Sequence, residues 1–91
     1  MKHYTIEYRE ASIIKPLVEL YAEQAYKNHR ESFLDICSEI LDRCRKDVED
    51  NTELVQSLDC RYSYLVYLFN SRYQDIKKYV VDYVYQKYYA K

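Results

Sequence analysis

Residues 32–50 read SFLDICSEILDRCRKDVED, and their spacing decides the fold. Phe33, Ile36, Cys37, Ile40, Leu41, Cys44 and Val48 recur at intervals of three and four, which places them on one face of a helix. Glu39, Asp42, Arg43, Lys46 and Glu49 mostly occupy the remaining surface, as an amphipathic helix packed on a core requires. Ser32 followed three positions later by Asp35 makes an approximate capping box, so the helix is predicted to start there.

Moving towards the N-terminus, Asn28-His29-Arg30-Glu31 interrupts the pattern, with Asn28 predicted to take a left-handed C-cap. Before it, Ile14, Leu17, Val18, Tyr21 and Ala25 predict a helix from about Lys15 to Lys27, with Pro16 tolerated in the first turn, where its missing N–H has no intrahelical partner to lose. Tyr4, Ile6 and Tyr8 alternate with polar neighbours as a strand does, although Tyr4 and Tyr8 also sit at helical spacing.

Moving towards the C-terminus, Asp50-Asn51-Thr52 forms a polar turn with a cap at Asn51 or Thr52. Leu54, Leu58, Tyr62, Leu65, Phe69, Tyr73, Ile76, Val80 and Tyr83 then keep three-or-four spacing for 30 residues with no Gly or Pro. Either one long helix results or Asn70-Ser71 breaks it into two. The expectation is an all-α fold, a three- or four-helix bundle with a long C-terminal helix, forming a single domain over residues 1–91. The alternative is an α+β fold in which the β-branched and aromatic run 79–85 pairs with residues 3–8 as a small terminal strand pair.

Composition narrows the function. The 91 residues include no Gly, one Pro and 13 Tyr. Without glycine there is no Walker, Rossmann or nucleophile-elbow motif, since each depends on a backbone conformation or close approach that glycine supplies. The net charge is −1, but residues 1–30, 31–60 and 61–91 carry +1, −6 and +4, so an acidic middle faces a basic end within the chain, between copies or towards different partners. No run of residues is long and apolar enough for a membrane span, and the N-terminus lacks an apolar signal region, so the chain is expected to be soluble. Cys37, Cys44 and Cys60 form no C-x-x-C pair, and a cytoplasmic, reducing compartment is expected.

Nine of the 13 tyrosines fall in the last 30 residues. On a continuous helical wheel, Tyr62, Tyr73 and Tyr83 share the apolar stripe and are assigned to the core. Tyr64, Tyr67, Tyr85 and Tyr89 lie on the opposite side, where tyrosine offers large contact area, few rotatable bonds and a polar tip suited to interfaces. These four are the predicted partner-contacting residues, with Arg72 and Lys78 orienting an acidic surface. The resulting expectation is a non-enzymatic protein-interaction module, a small adaptor or inhibitor, that also forms a homodimer or other homo-oligomer.

Two other classes compete with this expectation. Arg61, Arg72, Lys77, Lys78, Lys87 and Lys91 interleave with tyrosine, a pattern that can track phosphates while stacking bases, although Asp75 and Asp82 interrupt it. Acidic residues of the middle third could instead mimic a phosphate backbone, diluted by Arg43, Arg45 and Lys46. Glu7-x-x-Glu10 with Glu39-x-x-Asp42 could hold Mg²⁺ in an all-α nucleotide pyrophosphohydrolase. Cys37 and Cys44, seven apart, read as core residues, whereas Cys60 beside Arg61 is the thiol to examine for a depressed pKa. His3 and His29 sit in no ligand or nucleophile–base pattern. No catalytic residue, metal or cofactor is assigned.

The runs Leu17-Val18-Glu19-Leu20, Glu23–Asn28, Arg61-Tyr62 and Arg72–Tyr79 distantly resemble the helical domain of GINS replication subunits, which would imply a scaffold role. Aligning both halves of the later motif requires a one-residue insertion inside a helix, and the resemblance is not adopted.

Overall fold

In the computed structural model, which describes residues 10–90, Ser32 takes an extended conformation and its hydroxyl accepts the Asp35 N–H at 3.3 Å. One orphan donor of the first turn is thereby satisfied, and the Asp35 carboxylate complements the helix dipole. The helix that follows, here α2, runs Phe33–Asp50. The preceding helix α1 spans Lys15–Asn28, entered through a 3-10 turn at Ser12–Ile14, with Pro16 in its first turn. Three helices follow α2: α3 Glu53–Gln56, α4 Tyr62–Ser71 and α5 Tyr73–Val84, the last extended by a π-turn at Tyr85–Tyr89. The described residues contain no strand, so the fold is all-α.

The predicted face of α2 is the buried one: Ile36, Cys37, Ile40, Leu41, Cys44 and Val48 all lie in the core. Helices α1, α4 and α5 pack against it, α1 most extensively. Leu17, Val18, Ala22 and Ala25 come from α1, Leu65, Leu68 and Phe69 from α4, and Ile76, Val80 and Val84 from α5. The shortest dimension is 19 Å, which is about two helix diameters, so the chain folds as two packed layers around this single core. No described helix is long and apolar enough to cross a membrane.

Several local expectations change. Asn28 ends α1 as a helical residue and His29 is the C-cap, at φ −132°, so the left-handed cap is not here. It lies at Asn51, φ 49° and ψ 53°, which ends α2, while Thr52 caps α3 by accepting the Val55 N–H at 3.4 Å. The long C-terminal helix is divided twice. After α3, the Ser57 hydroxyl donates to the Leu54 carbonyl at 2.7 Å and the Cys60 N–H turns back to the Leu58 carbonyl at 2.8 Å, ending the helical ladder.

The second break falls at Arg72, one residue beyond the predicted Asn70-Ser71. Arg72 closes α4 through its N–H to the Leu68 carbonyl at 2.8 Å, and its own carbonyl receives the Ile76 N–H at 3.2 Å to open α5. The change of axis lets Leu65 and Phe69 on one side, and Ile76 and Val80 on the other, both reach α2. The strand alternative fails at 79–84, which are helical; its partner segment 3–8 lies outside the described residues.

Candidate functional site

Breaking the helix at Arg72 resets the helical phase, so tyrosines aligned on a continuous wheel need not share a face. Tyr64 and Tyr67 stay together on α4, their rings 6.0 Å apart and 28° from parallel. Tyr67 is 46% exposed, whereas Tyr64 is half-buried and hydrogen-bonds the Glu10 carboxylate. Burial first, and then that carboxylate, push the Tyr64 hydroxyl up to about 12.

Tyr85 and Tyr89 lie in the π-turn. Tyr85 is 51% exposed, and Tyr89 packs edge-on against Phe33 at 5.2 Å. Tyr62 anchors the beginning of α4 by donating to the Val48 carbonyl at 2.5 Å. Phe33 and Val48 are separated by about 22 Å of α2 at 1.5 Å per residue, so the two tyrosine groups occupy opposite ends of the bundle. Lys78 is exposed on α5, seven residues before Tyr85 and therefore on the same outer face. Arg72 sits at the helix break with its Nε 3.7 Å from the Asp75 carboxylate.

Of the three tyrosines assigned to the core, Tyr73 and Tyr83 pack against it and Tyr62 does not. Tyr73 and Tyr83 are only partly buried and Tyr62 is 39% exposed, while Tyr79, at 8% exposed, is the C-terminal tyrosine that enters the core. Together with Tyr83 and Tyr88 it lines the side of α5 and the π-turn that faces α1, where Tyr26 lies opposite. There an open groove of about 570 Å³ runs between the two helices and continues into a shallower one of about 410 Å³. Tyr26 and Tyr88 stack face to face, 4.2 Å apart and 5° from parallel. Arg30 lies over Tyr26 at 5.5 Å and Lys87 over Tyr88 at 5.8 Å.

The groove's electrostatics follow from the same residues. Burial, followed by neighbouring Tyr83 and Glu19, pushes Tyr79 up to about 12. Tyr83 is raised by burial and Glu19, and Tyr88 by burial, Tyr83, Glu23 and Tyr26. All three hydroxyls therefore remain protonated donors at neutral pH. The Tyr88 hydroxyl is buried with no acceptor among the described residues. Glu19 and Glu23 are met by Lys15 at 3.9 Å and Lys27 at 3.5 Å, one turn away on α1. Sequence reasoning missed Tyr26 and Tyr88 because the signal, a tyrosine closing one helix and another trailing the last, is a tertiary pairing with no local period.

The residues considered for hydrolysis are arranged differently. Glu39 is engaged by His29 Nε2 at 2.7 Å, by Arg43 Nε at 3.4 Å and by Asn28 Nδ2 at 3.4 Å. Glu10 is held by Tyr64, Glu7 lies outside the described residues, and the described His, Cys, Asp and Glu residues form no group of three able to hold a metal ion. Asp47, also on α2, accepts from the Tyr21 hydroxyl, which burial and this bond push up to about 12.

The cysteines are all free. Burial raises Cys37 to about 11 and, with Asp47 as a lesser cause, Cys44 to about 12, in keeping with their place in the core. Cys60 is raised as well, by burial and by Asp59, so the depressed pKa considered beside Arg61 is reversed.

Comparison of the chain with protein-family models, with curated proteins and with solved structures gives no match, and the groove and exposed tyrosines are left to speak for function on their own chemistry.

Proposed function

We propose that the chain is a non-enzymatic protein-interaction module, a small adaptor or inhibitor, that engages a macromolecular partner through tyrosines of its C-terminal half. One observation carries this reading: tyrosine rings stand outside the core, with Tyr67 and Tyr85 about half exposed and Tyr26, Tyr83 and Tyr88 lining an open groove edged by charges of both signs. Such rings supply contact area at low entropic cost, and mixed charge at a rim favours orientation over bulk affinity. The free cysteines, two of them buried on one face of α2, support a reducing, cytoplasmic setting. Self-association remains part of the proposal, because the acidic middle and basic end are mutually attractive across two copies.

The test is affinity capture from cell lysate with and without nuclease, beside light scattering on the purified chain. A nuclease-resistant protein retained by the native chain, and lost on Tyr67→Ser or Tyr85→Ser with helical content unchanged, is the expected result. Because these residues lie at opposite ends of the bundle, the variant that fails to bind identifies the contacting end. Recovery of nucleic acid alone, or binding indifferent to both substitutions, refutes the proposal.

A further inference from the structure

The groove between α1 and α5 has an unbalanced charge at its upper end. Glu23 is neutralised by Lys27, but Arg30 and Lys87 have no carboxylate partner among the described residues; each instead lies over one face of the Tyr26–Tyr88 stack. Both are exposed, and it is their charged groups that lie over the rings, so the cations are held beside the stack and within reach of a ligand. Tyr26, Tyr88, Arg30 and Lys87 line one cavity of about 570 Å³, whose two carboxylates, Glu19 and Glu23, are each paired with a lysine. That volume lies in the range that takes a ligand of a few side chains.

Resting on the protein-interaction reading above, we infer that this end of the groove docks an acidic peptide segment of a partner protein, whose carboxylates meet Arg30 and Lys87 and whose apolar side chains lie along Tyr26 and Tyr88. Charge complementarity selects this occupant. A basic segment would meet two uncompensated cations, and a neutral one would leave both charges unused. The aromatic pair supplies contact that a free inorganic anion could not exploit, and the cations discriminate against apolar peptides of the same shape.

The test titrates the full chain against fluorescein-labelled short peptides by anisotropy. One alternates Glu with Leu and Phe, a second has Gln in place of Glu, a third has Lys in place of Glu, and an oligothymidylate matches the first in charge. The Glu peptide is expected to bind best and to weaken as salt is raised. Arg30→Gln with Lys87→Gln should weaken it by roughly tenfold, as for loss of two partly screened charge contacts, with the circular dichroism spectrum unchanged. Arg30→Glu with Lys87→Glu should transfer preference to the Lys peptide, which a merely destabilised variant would not do. Lys77→Gln, an exposed residue of α5 that does not line the groove, should leave the Glu peptide's affinity unaltered.

Equal binding of the Gln peptide, tighter binding of the oligothymidylate, or dependence on Lys77 in place of Arg30 and Lys87 overturns the inference. If lysate capture still retains a tyrosine-dependent partner while the Glu peptide does not bind, the docking inference alone falls. If neither binds, the interaction reading falls with it.

Discussion

Helix α2 and the stretch 53–84 carry the same three-and-four apolar spacing, yet the first is one continuous helix and the second is three. The difference teaches that periodicity reports which side chains are buried, while backbone competition and packing decide where the chain runs straight. In α2 the polar interruptions stand at the ends, Ser32 before it and Asn51 after it. In 53–84 they fall inside the stripe: Ser57 diverts a hydroxyl to the Leu54 carbonyl, and Asn70 and Ser71 precede the change of direction at Arg72. Leu58, Leu65, Phe69, Ile76 and Val80 of the stripe still converge on one core, but in α3 the buried residue is Val55 and not the predicted Leu54.

The largest effects test whether the divided stretch shares that core on equal terms. Ile40 on α2 and Ile76 on α5 are both fully buried. Ile40→Ala and Ile76→Ala should each cost about 2–5 kcal/mol in urea denaturation, from lost transfer energy and the cavity left behind. Leu34→Ala, at a side chain 74% exposed, should change stability by less than about 0.5 kcal/mol. A cost below about 1 kcal/mol for Ile76→Ala alone would mean that α5 docks loosely and that the apparent equality of the two regions is wrong.

Alkaline titration sharpens the same comparison, because Tyr79 is where α5 buries an ionisable ring. Its hydroxyl moves from the ordinary 10.0 to about 12 on folding, so the neutral form is favoured in the native state. A raised acid pKa contributes stability that is fully present below the unfolded value and disappears as pH rises through the folded one. Stability should therefore hold up to about pH 9 and decline between roughly pH 10 and 12. Tyr79→Phe should flatten part of that decline, as read from denaturation midpoints across the range. An unchanged slope would remove Tyr79 from the core side of α5.

Much of this architecture is legible in the residues themselves. The burial of Ile36, Ile40, Cys44 and Val48, the cap at Ser32 and the place of Pro16 all follow from local spacing and local hydrogen bonding. The tyrosines resist such reading because tyrosine suits core and surface alike, and its choice depends on helix phase. Tyr79 is buried and Tyr62 is 39% exposed, although the spacing of both is helical. The Tyr26–Tyr88 stack joins residues with 61 positions between them and has no sequence signal at all. The β-branched run 79–84 illustrates the remaining limit, since strand propensity yields where the alternating residues find a core only as a helix.

The turn between the two regions offers smaller, position-specific effects. Asn51 holds a left-handed backbone, at φ 49°, which an alanine Cβ disfavours. Asn51→Ala should cost about 1–2 kcal/mol, whereas Asn51→Gly should stay within about 0.5 kcal/mol, because glycine accepts that conformation while losing more freedom on folding. If both substitutions cost the same, the Asn51 side chain, not its backbone, ends α2.

Capping gives the smallest separation and the most direct contrast. Ser32 and Thr52 each accept one backbone N–H, at 3.3 and 3.4 Å, but Ser32 opens an 18-residue helix and Thr52 a four-residue one. Ser32→Ala should cost about 1 kcal/mol, since fraying there loosens the start of the helix against which α1, α4 and α5 pack. Thr52→Ala should cost about 0.5 kcal/mol, because α3 presents little beyond Val55 to the core and its neighbouring turn is also tied by Gln56 Nε2 to the Asn51 carbonyl at 2.8 Å. Thermal melts of both variants decide the order. A larger loss at Thr52 would make the four-residue turn, and not the end of α2, the joint on which the C-terminal half depends.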